Sequence, residues 1–147
     1  MATLKSITSA NSSFTLTIPG LYPAPQKLEG FAVDDMFAFD GVSTVETKMG
    51  ADGKFSAGWK PTPRAVTINL QADSNSIALF EYWANAMEAA REVYACTGSV
   101  IIPGIKKSYT MSQGYLTNFS PMAGAKGTLD SQQFTITFAS VKPSILG

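Results

Sequence analysis

Histidine is missing from this chain of 147 residues, and cysteine occurs once, at position 96. Without histidine the chain has no Ser-His-Asp triad, no Cys-His pair and no imidazole ligand for a metal. A single cysteine excludes an internal disulfide and every zinc or iron–sulfur site that is built from several cysteines. Composition alone therefore removes the commonest catalytic and metal-binding constellations.

Charge is scarce as well. Eleven Lys and Arg balance eleven Asp and Glu, so the formal net charge is zero, and charged residues make up only 15% of the chain. Proteins that hold nucleic acid by counterion release need clustered cations, which this balance argues against. Chains near zero net charge repel one another weakly. With nine Phe and 29 Ser and Thr, the composition favours a protein that buries surface against copies of itself.

Long apolar runs are also missing. The longest contain about five residues, far short of the roughly 18 that span a bilayer. Residues 1–13 are polar and lack the basic and apolar regions of a signal peptide. We therefore expect no membrane partner and synthesis in the cytoplasm, where a free Cys96 fits a reducing compartment.

Strand patterns account for most of the chain. Apolar and polar residues alternate, or short apolar runs end at Gly or Pro, in seven or eight segments. These segments are residues 14–18, 31–39, 42–49, 54–59, 65–70, 99–102, 107–119 and 133–140. Residues 50–53 carry two glycines and an Asp, which suits a hairpin tip. Residues 1–12 are expected to be an arm, residues 21–29 a loop because of Pro23 and Pro25, and residues 141–147 a tail.

One segment has helical spacing. Apolar residues recur every three or four positions, which predicts a helix from Ser76 to Ala95. Asp73 or Ser74 is expected to cap its start, and Gly98 to stop it. The residues expected to face the core are Ile77, Phe80, Trp83 and Met87. The pattern predicts a single, mainly β domain with one helix (α+β), an antiparallel sandwich or partly open barrel on which the helix docks.

No set of residues supports catalysis. Asp34 and Asp35 are adjacent, so in a strand they point to opposite faces and do not act on one substrate atom. Lys106-Lys107 is expected to be a solvated basic spot, and Cys96 a buried structural thiol. The Gly-rich segment 124–128 has the order Lys-Gly-Thr with no helix after it, unlike a phosphate-binding loop. We therefore expect no enzyme activity, no cofactor and no metal.

Two segments are expected to be edge strands that pair with another subunit. Residues 14–18 and 133–139 carry neither charge nor proline in their interiors, and such edges aggregate unless they are paired. The residues concerned are Phe14, Leu16, Ile18, Phe134, Ile136 and Phe138. The hairpin of residues 42–59 is long and is expected to project from the body. The pattern leaves open whether Trp59 belongs to the core or contacts a partner.

Taken together, the chain resembles the tail tube proteins of contractile-tailed bacteriophages and the related tube proteins of type VI secretion. The resemblance covers residues 13–140 and lies in the order of strands, long hairpin, strand, single helix and strands. Its motifs are the strand-to-helix passage at 65–76 with Trp83, Gly98-Ser99-Val100-Ile101-Ile102-Pro103-Gly104, Lys107-Ser108-Tyr109-Thr110, Gly114-Tyr115-Leu116-Thr117, and Leu129-Asp130 followed by residues 134–138.

This resemblance implies a structural virion protein. Six subunits would form a ring, their sheets would merge into one inner β-barrel, and the rings would stack into a hollow tube inside the contractile sheath. The helix would face the sheath. Baseplate and terminator proteins would be further partners, and the tape measure protein and then DNA would occupy the lumen transiently. Because a conduit must not hold DNA, we expect few lysines or arginines in the lumen, with Asp34 or Glu46 facing it.

The resemblance also implies that the hairpin and both termini make ring-to-ring contacts. The candidate residues are Val42, Thr44, Glu46, Lys48, Asp52, Lys54, Phe55 and Trp59. Two alternatives stay open at this point. One is another ring-forming tail component, such as a tail terminator or a baseplate tube-extension protein. The other is a β-sandwich module that binds a glycan or peptide through Trp59 and Tyr22.

Overall fold

The strands follow the alternation that the sequence displays. The computed structural model describes residues 12–31, 37–122 and 127–145. Within these residues the elements are, in chain order, β1 (Ser13–Ile18), β2 (Tyr22–Lys27), β3 (Phe37–Phe39), β4 (Val45–Met49), β5 (Phe55–Trp59), β6 (Arg64–Leu70), α1 (Ile77–Ala90), β7 (Cys96–Ile102), a 3-10 turn (Pro103–Ile105), β8 (Lys107–Phe119) and β9 (Gln132–Ile145). The expected mainly β fold with one helix is confirmed.

Seven of these strands form one antiparallel sheet in the order β2-β1-β7-β8-β9-β6-β3, and the sheet does not close into a barrel. The strands β4 and β5 form a separate two-stranded sheet. In this order β1 lies between β2 and β7, and β9 lies between β8 and β6. Because β1 and β9 are each paired on both sides, their backbones are fixed in the sheet. Their inward-pointing side chains then pack in the core.

The expectation that residues 14–18 and 133–139 are edge strands is therefore wrong for the chain itself. The residues named for that role are fully buried inside the sheet: Phe14, Leu16, Ile18, Phe134, Ile136 and Phe138. Lack of charge and proline is equally typical of a strand that is paired on both sides. The sequence pattern does not distinguish the two situations.

The long strands β8 and β9 divide the sheet into two halves. The strand β7 pairs with β8 only as far as Gly114, and β6 pairs with β9 only from Gln132 to Phe138. We call β2, β1 and β7, with residues 107–112 and 140–145, the first half-sheet. The second half-sheet consists of β3 and β6 with residues 114–119 and 132–138. Gln113 lies between the halves and has a φ of 52°.

The two half-sheets face each other across one hydrophobic core. The rings of Phe14 in the first half and Phe37 in the second make an edge-to-face contact at 5.1 Å. Burial of each such side chain contributes about 1.5–3 kcal/mol. The other large, fully buried core residues include Leu16, Ile18, Leu28, Ile68, Leu70, Phe80, Trp83, Met111, Phe134, Ile136 and Phe138.

The helix packs on this core at the ends of the strands. Phe80 stacks on Phe134 with ring centroids 4.4 Å apart, and the Trp83 Nε1–H donates a hydrogen bond to the Tyr94 carbonyl at 3.0 Å. Ile77 is also buried, and Met87 is half-buried against the core. The apolar stripe of α1 therefore covers one open end of the folded sheet.

The bounds of the helix differ from the expected ones. It ends at Ala90, because Arg91 takes a left-handed conformation with a φ of 54°, and Gly98 lies inside β7. Its N-cap residue is Ser76, whose hydroxyl accepts a hydrogen bond from the Glu29 amide instead of capping the helix. The Ser74 hydroxyl in turn donates to the Glu29 carbonyl. Ser76 therefore bonds to a distant segment, whereas the Ser74 hydroxyl, one of the two expected caps, also accepts a hydrogen bond from the Ser76 amide at 3.2 Å beside the start of the helix.

Two segments expected to be irregular are strands. The segment 22–27 forms β2 despite Pro23 and Pro25, because an edge strand tolerates residues that lack an amide hydrogen. At the other terminus, β9 continues to Ile145, which pairs with Lys107. Residues 141–145 are therefore part of the sheet and not a tail.

Gly114 marks a close approach that allows the halves to pack. A Cβ at this position would lie 2.4 Å from the Phe138 ring and 2.9 Å from the Cys96 sulfur. We predict that Gly114→Ala lowers the free energy of unfolding by about 1–3 kcal/mol through overpacking. Gly58→Ala is the matched control, because a Cβ there meets nothing within 4 Å. Chemical denaturation measures both, and equal stability of the two variants would contradict the packing argument.

Candidate functional site

The hairpin of β4 and β5 stands apart from the sheet. Its register pairs Val45 with Trp59 and Met49 with Phe55, and all ten strand residues are exposed. The turn is closed by a hydrogen bond from the Lys54 amide to the Asp52 carboxylate at 3.1 Å. Such a hairpin has no core of its own, and isolated two-stranded hairpins are only marginally stable in water.

The hairpin has one apolar and one polar face. Cross-strand partners share a face, so one face carries Val45, Thr47, Met49, Phe55, Ala57 and Trp59. We call these six residues the apolar hairpin face. Its large side chains are strongly exposed: Val45 at 49%, Met49 at 66%, Phe55 at 63% and Trp59 at 75%. Glu46 and Lys48 lie on the opposite face. Exposed apolar surface of this kind marks an interaction site.

The eight residues expected to make ring-to-ring contacts all lie on or beside this hairpin. All are exposed except Thr44, which is half-buried. They do not share one face, because Glu46 and Lys48 point away from Phe55 and Trp59. Sequence reasoning missed Val45 and Met49. The cross-strand register would have placed them on the same face as Phe55 and Trp59. That register depends on which residues form the turn, and the sequence pattern located the turn only approximately.

The second half-sheet carries an uncharged outward face. Alternate residues of its strands point away from the core, and within the described residues none of them is charged. They are Ala38, Ala65, Thr67, Asn69, Tyr115, Thr117, Asn118, Gln133, Thr135 and Thr137. We call this set the hydroxyl face. The Thr117 and Thr137 hydroxyls are 3.0 Å apart and hydrogen-bond to each other.

Two residues were expected to face a lumen, and the structure describes one of them. Glu46 belongs to the separate hairpin. Asp34 and its neighbour Asp35 lie outside the described residues. The hydroxyl face is therefore a surface that sequence reasoning did not identify. The sequence does contain a signal for the hydroxyl face. Thr and Asn alternate with buried residues in β6, and Gln and Thr alternate with buried residues in β9.

The edges of the sheet differ in how they are protected. The edge strand β2 contains two prolines, which cannot donate to a further strand. In the second half-sheet, β3 has a partner only in β6, and residues 115–119 of β8 lie beyond the pairing with β7. Neither of these two segments contains proline or charge. Within the described part of the chain, they are the two open edges of the second half-sheet, whereas the edge at residues 140–145 of β9 carries Lys142 and Pro143.

A groove lies between the C-terminal half of α1 and the end of β8. Its volume is about 810 Å³. We call it the helix groove, and its lining is Ala84, Met87, Glu88, Arg91, Glu92, Val93, Leu116 and Phe119. Val93 is 70% exposed and Phe119 is 42% exposed. The helix groove is thus a second exposed apolar area with an acidic rim formed by Glu88 and Glu92.

Within the described ranges, the side chains that could take part in chemistry do not form a cluster. Burial raises the pKa of the Cys96 thiol to about 12, although a hydrogen bond with the Gly114 backbone opposes this. Among the described residues, no three His, Cys, Asp or Glu side chains lie close enough to hold a metal ion. Tyr22 packs on Tyr82 at 5.7 Å and Trp59 lies on the hairpin, so the structure does not join them in a binding site. The described residues include no helix that is long and apolar enough to span a membrane.

Comparison with known families gives one match. The model of a family described as tail fiber protein gp32 matches residues 5–142. Among functionally curated proteins, none matches the sequence.

Solved structures share the fold at low sequence identity. A chain of the anti-feeding prophage baseplate, solved by cryo-electron microscopy with sixfold symmetry, is 7% identical with a TM-score of 0.61, over 99% of both chains. A chain from the sheath/tube terminator of an extracellular contractile injection system is 11% identical with a TM-score of 0.61, over 97% of this chain and 99% of that one. The tube-terminating cap of the anti-feeding prophage is 16% identical with a TM-score of 0.54, over 99% and 95%. The expected tail tube-like fold is confirmed.

The buried thiol gives a test of the core. Cys96 stays protonated in the folded chain up to about pH 12 but ionises in the unfolded chain above its ordinary pKa of 9.0. Its contribution to stability is therefore present below pH 9 and lost as the pH rises toward 12. We predict that the free energy of unfolding falls more steeply above pH 9 in the wild type than in Cys96→Ala, by at most roughly 1.4 kcal/mol per pH unit. Parallel slopes in denaturation series at several pH values would refute this.

Proposed function

The chain belongs to the family described as tail fiber protein gp32, and from this premise we propose that it is the major tube subunit of a contractile phage tail. The proposal rests on two features that occur together. The chain has a tube-like fold, and its second half-sheet combines an uncharged outward face with two open edges. The family description names a tail fiber. These features, however, suit a subunit whose sheet pairs with the sheet of the next subunit. The proposed role is structural, without catalysis or a cofactor.

Ring formation is explained by the two open edges. We propose that β3 of one subunit adds to residues 115–119 of the next, so that four-stranded half-sheets join into one inner barrel. Strand addition satisfies backbone groups that an isolated subunit leaves to water. Six copies per ring is the number that the resemblance implies, and the sixfold symmetry of the similar baseplate structure supports it.

The hydroxyl face would then line the lumen. Each phosphate that meets a cation adds affinity through counterion release, so lysine-rich walls would hold DNA. A wall of threonine, asparagine and glutamine hydrates readily and carries no fixed charge. This composition suits a conduit through which the tape measure protein and then DNA move without being retained.

The remaining surfaces would face other partners. The hairpin would contact the neighbouring ring, and the outer side of α1, where Tyr82 is 54% exposed, would face the sheath. Baseplate and terminator proteins would meet the two ends of the tube. The protein would be made in the host cytoplasm and act in the virion.

A tail terminator or a baseplate tube-extension protein is the second candidate. It is favoured by the similarity to terminator, cap and baseplate chains, whose TM-scores reach 0.61. The two roles differ in one property. A ring of tube subunits binds a further ring at each of its two ends. A ring of terminator subunits binds no further copy at one of its ends.

Electron microscopy of the purified protein distinguishes these roles. We expect rings that stack into hollow tubes of unlimited length as concentration rises. Single rings that never extend would support the terminator. Solid thin rods, or a monomer that persists at high concentration, would contradict both roles.

The lumen assignment predicts the effect of an added cation. We expect tubes of Thr135→Lys to bind short duplex DNA at low salt and to release it as salt rises, because every ring gains a circle of lysines facing the DNA. Wild-type tubes should bind none. The control is Asn85→Lys, which adds the same charge on an exposed position of α1. Sedimentation of tubes with labelled DNA measures binding, and equal retention by both variants would contradict the assignment.

A further inference from the structure

We propose that the helix groove of one subunit receives the apolar hairpin face of a subunit in the adjacent ring. This inference rests on the proposed tube function and names the acceptor for the hairpin. Its starting point is the distribution of exposed apolar side chains. Among the described residues, two groups stand out, one on or beside the hairpin and one that lines the helix groove: Val42, Val45, Met49, Phe55 and Trp59 in the first, and Val93 and Phe119 in the second.

The two groups lie at opposite ends of the folded sheet. The root of the hairpin, at Asp40 and Val42, lines a cavity with Tyr109 near the start of β8. The helix groove contains Phe119, the last residue of β8. A contact between two different patches at opposite ends of a subunit is heterologous. Such contacts repeat head to tail and produce open filaments.

The two surfaces are of comparable length. The hairpin face is five residues long, or roughly 16 Å at the rise of a β-strand. The helix side of the groove runs from Ala84 to Arg91, roughly 11 Å along the axis, and is continued by Val93. Phe55 is 63% and Trp59 75% exposed, so burying both aromatic side chains of the hairpin would remove roughly 200–350 Å² of their surface from water.

The charges are complementary as well. Residues 42–60 contain three lysines and two acids, and two of the lysines, Lys54 and Lys60, directly flank Phe55 and Trp59. The groove contains two glutamates, Glu88 and Glu92, and one arginine. A net positive hairpin would therefore meet a net negative groove. This favours groove pairing over contact between two hairpins, which would oppose like charges.

A mixing experiment with preformed rings tests the inference. Trp59→Asp inactivates the hairpin face, and Val93→Asp inactivates the groove. Both residues are at least 70% exposed, so the subunits should fold. We expect each variant alone to form rings but no tubes, with the concentration needed for stacking raised roughly 30-fold or more. A mixture of the two variants should give stacks of two rings. The intact hairpins of a Val93→Asp ring can bind the intact grooves of a Trp59→Asp ring, and the two outer ends of that pair carry only inactivated surfaces.

Asn85→Asp is the matched control, since it places the same charge at an exposed position of α1 outside the groove lining, and it should still form tubes. If Val93→Asp forms tubes as readily as the wild type, or if the mixture grows no two-ring stacks, the groove is not the acceptor. Those results leave the tube function intact. A wild-type chain that forms no tubes would instead overturn the proposed function itself.

Discussion

The fold depends on the close approach of β7, β8 and β9 around Gly114. At that point the backbone of β8 lies directly against the Phe138 ring and the Cys96 sulfur, and no side chain fits between them. The next residue toward the N-terminus, Gln113, has a left-handed conformation. One continuous sheet therefore changes direction there and encloses its own core. The helix then covers the open end, with Phe80 stacked on Phe134.

In this arrangement the inward and outward surfaces of the sheet differ in composition. The inward residues of both half-sheets are apolar and buried, so the outward residues are free to suit the surroundings. In the second half-sheet they are uncharged and rich in hydroxyl groups. The edge at β2 is protected by proline, while β3 and the end of β8 stay open. The low overall charge of the chain thus includes one sheet face on which the described residues carry no charge.

The hairpin adds a different kind of interaction. It has no support from the core, yet it exposes Met49, Phe55 and Trp59 to water. An isolated subunit gains nothing from this exposure, since apolar side chains in water cost free energy. The cost is recovered when a neighbour covers them. In the proposed assembly, each ring would multiply this contact by the number of its subunits.

By itself, the sequence determined the elements: alternation located β1, β6 and β8, helical spacing located α1, and the absence of histidine and of a cysteine cluster removed the familiar catalytic sites. Its motifs also pointed to the tube-like fold. Only the tertiary structure decided which strands are edges, because a buried strand and an open edge have the same pattern of residues. It also decided the contacts of Ser74 and Ser76 with Glu29 and the cross-strand register that assembles the apolar hairpin face. These features depend on partners distant in sequence, and local periodicity carries no information about which distant segment supplies the hydrogen bond.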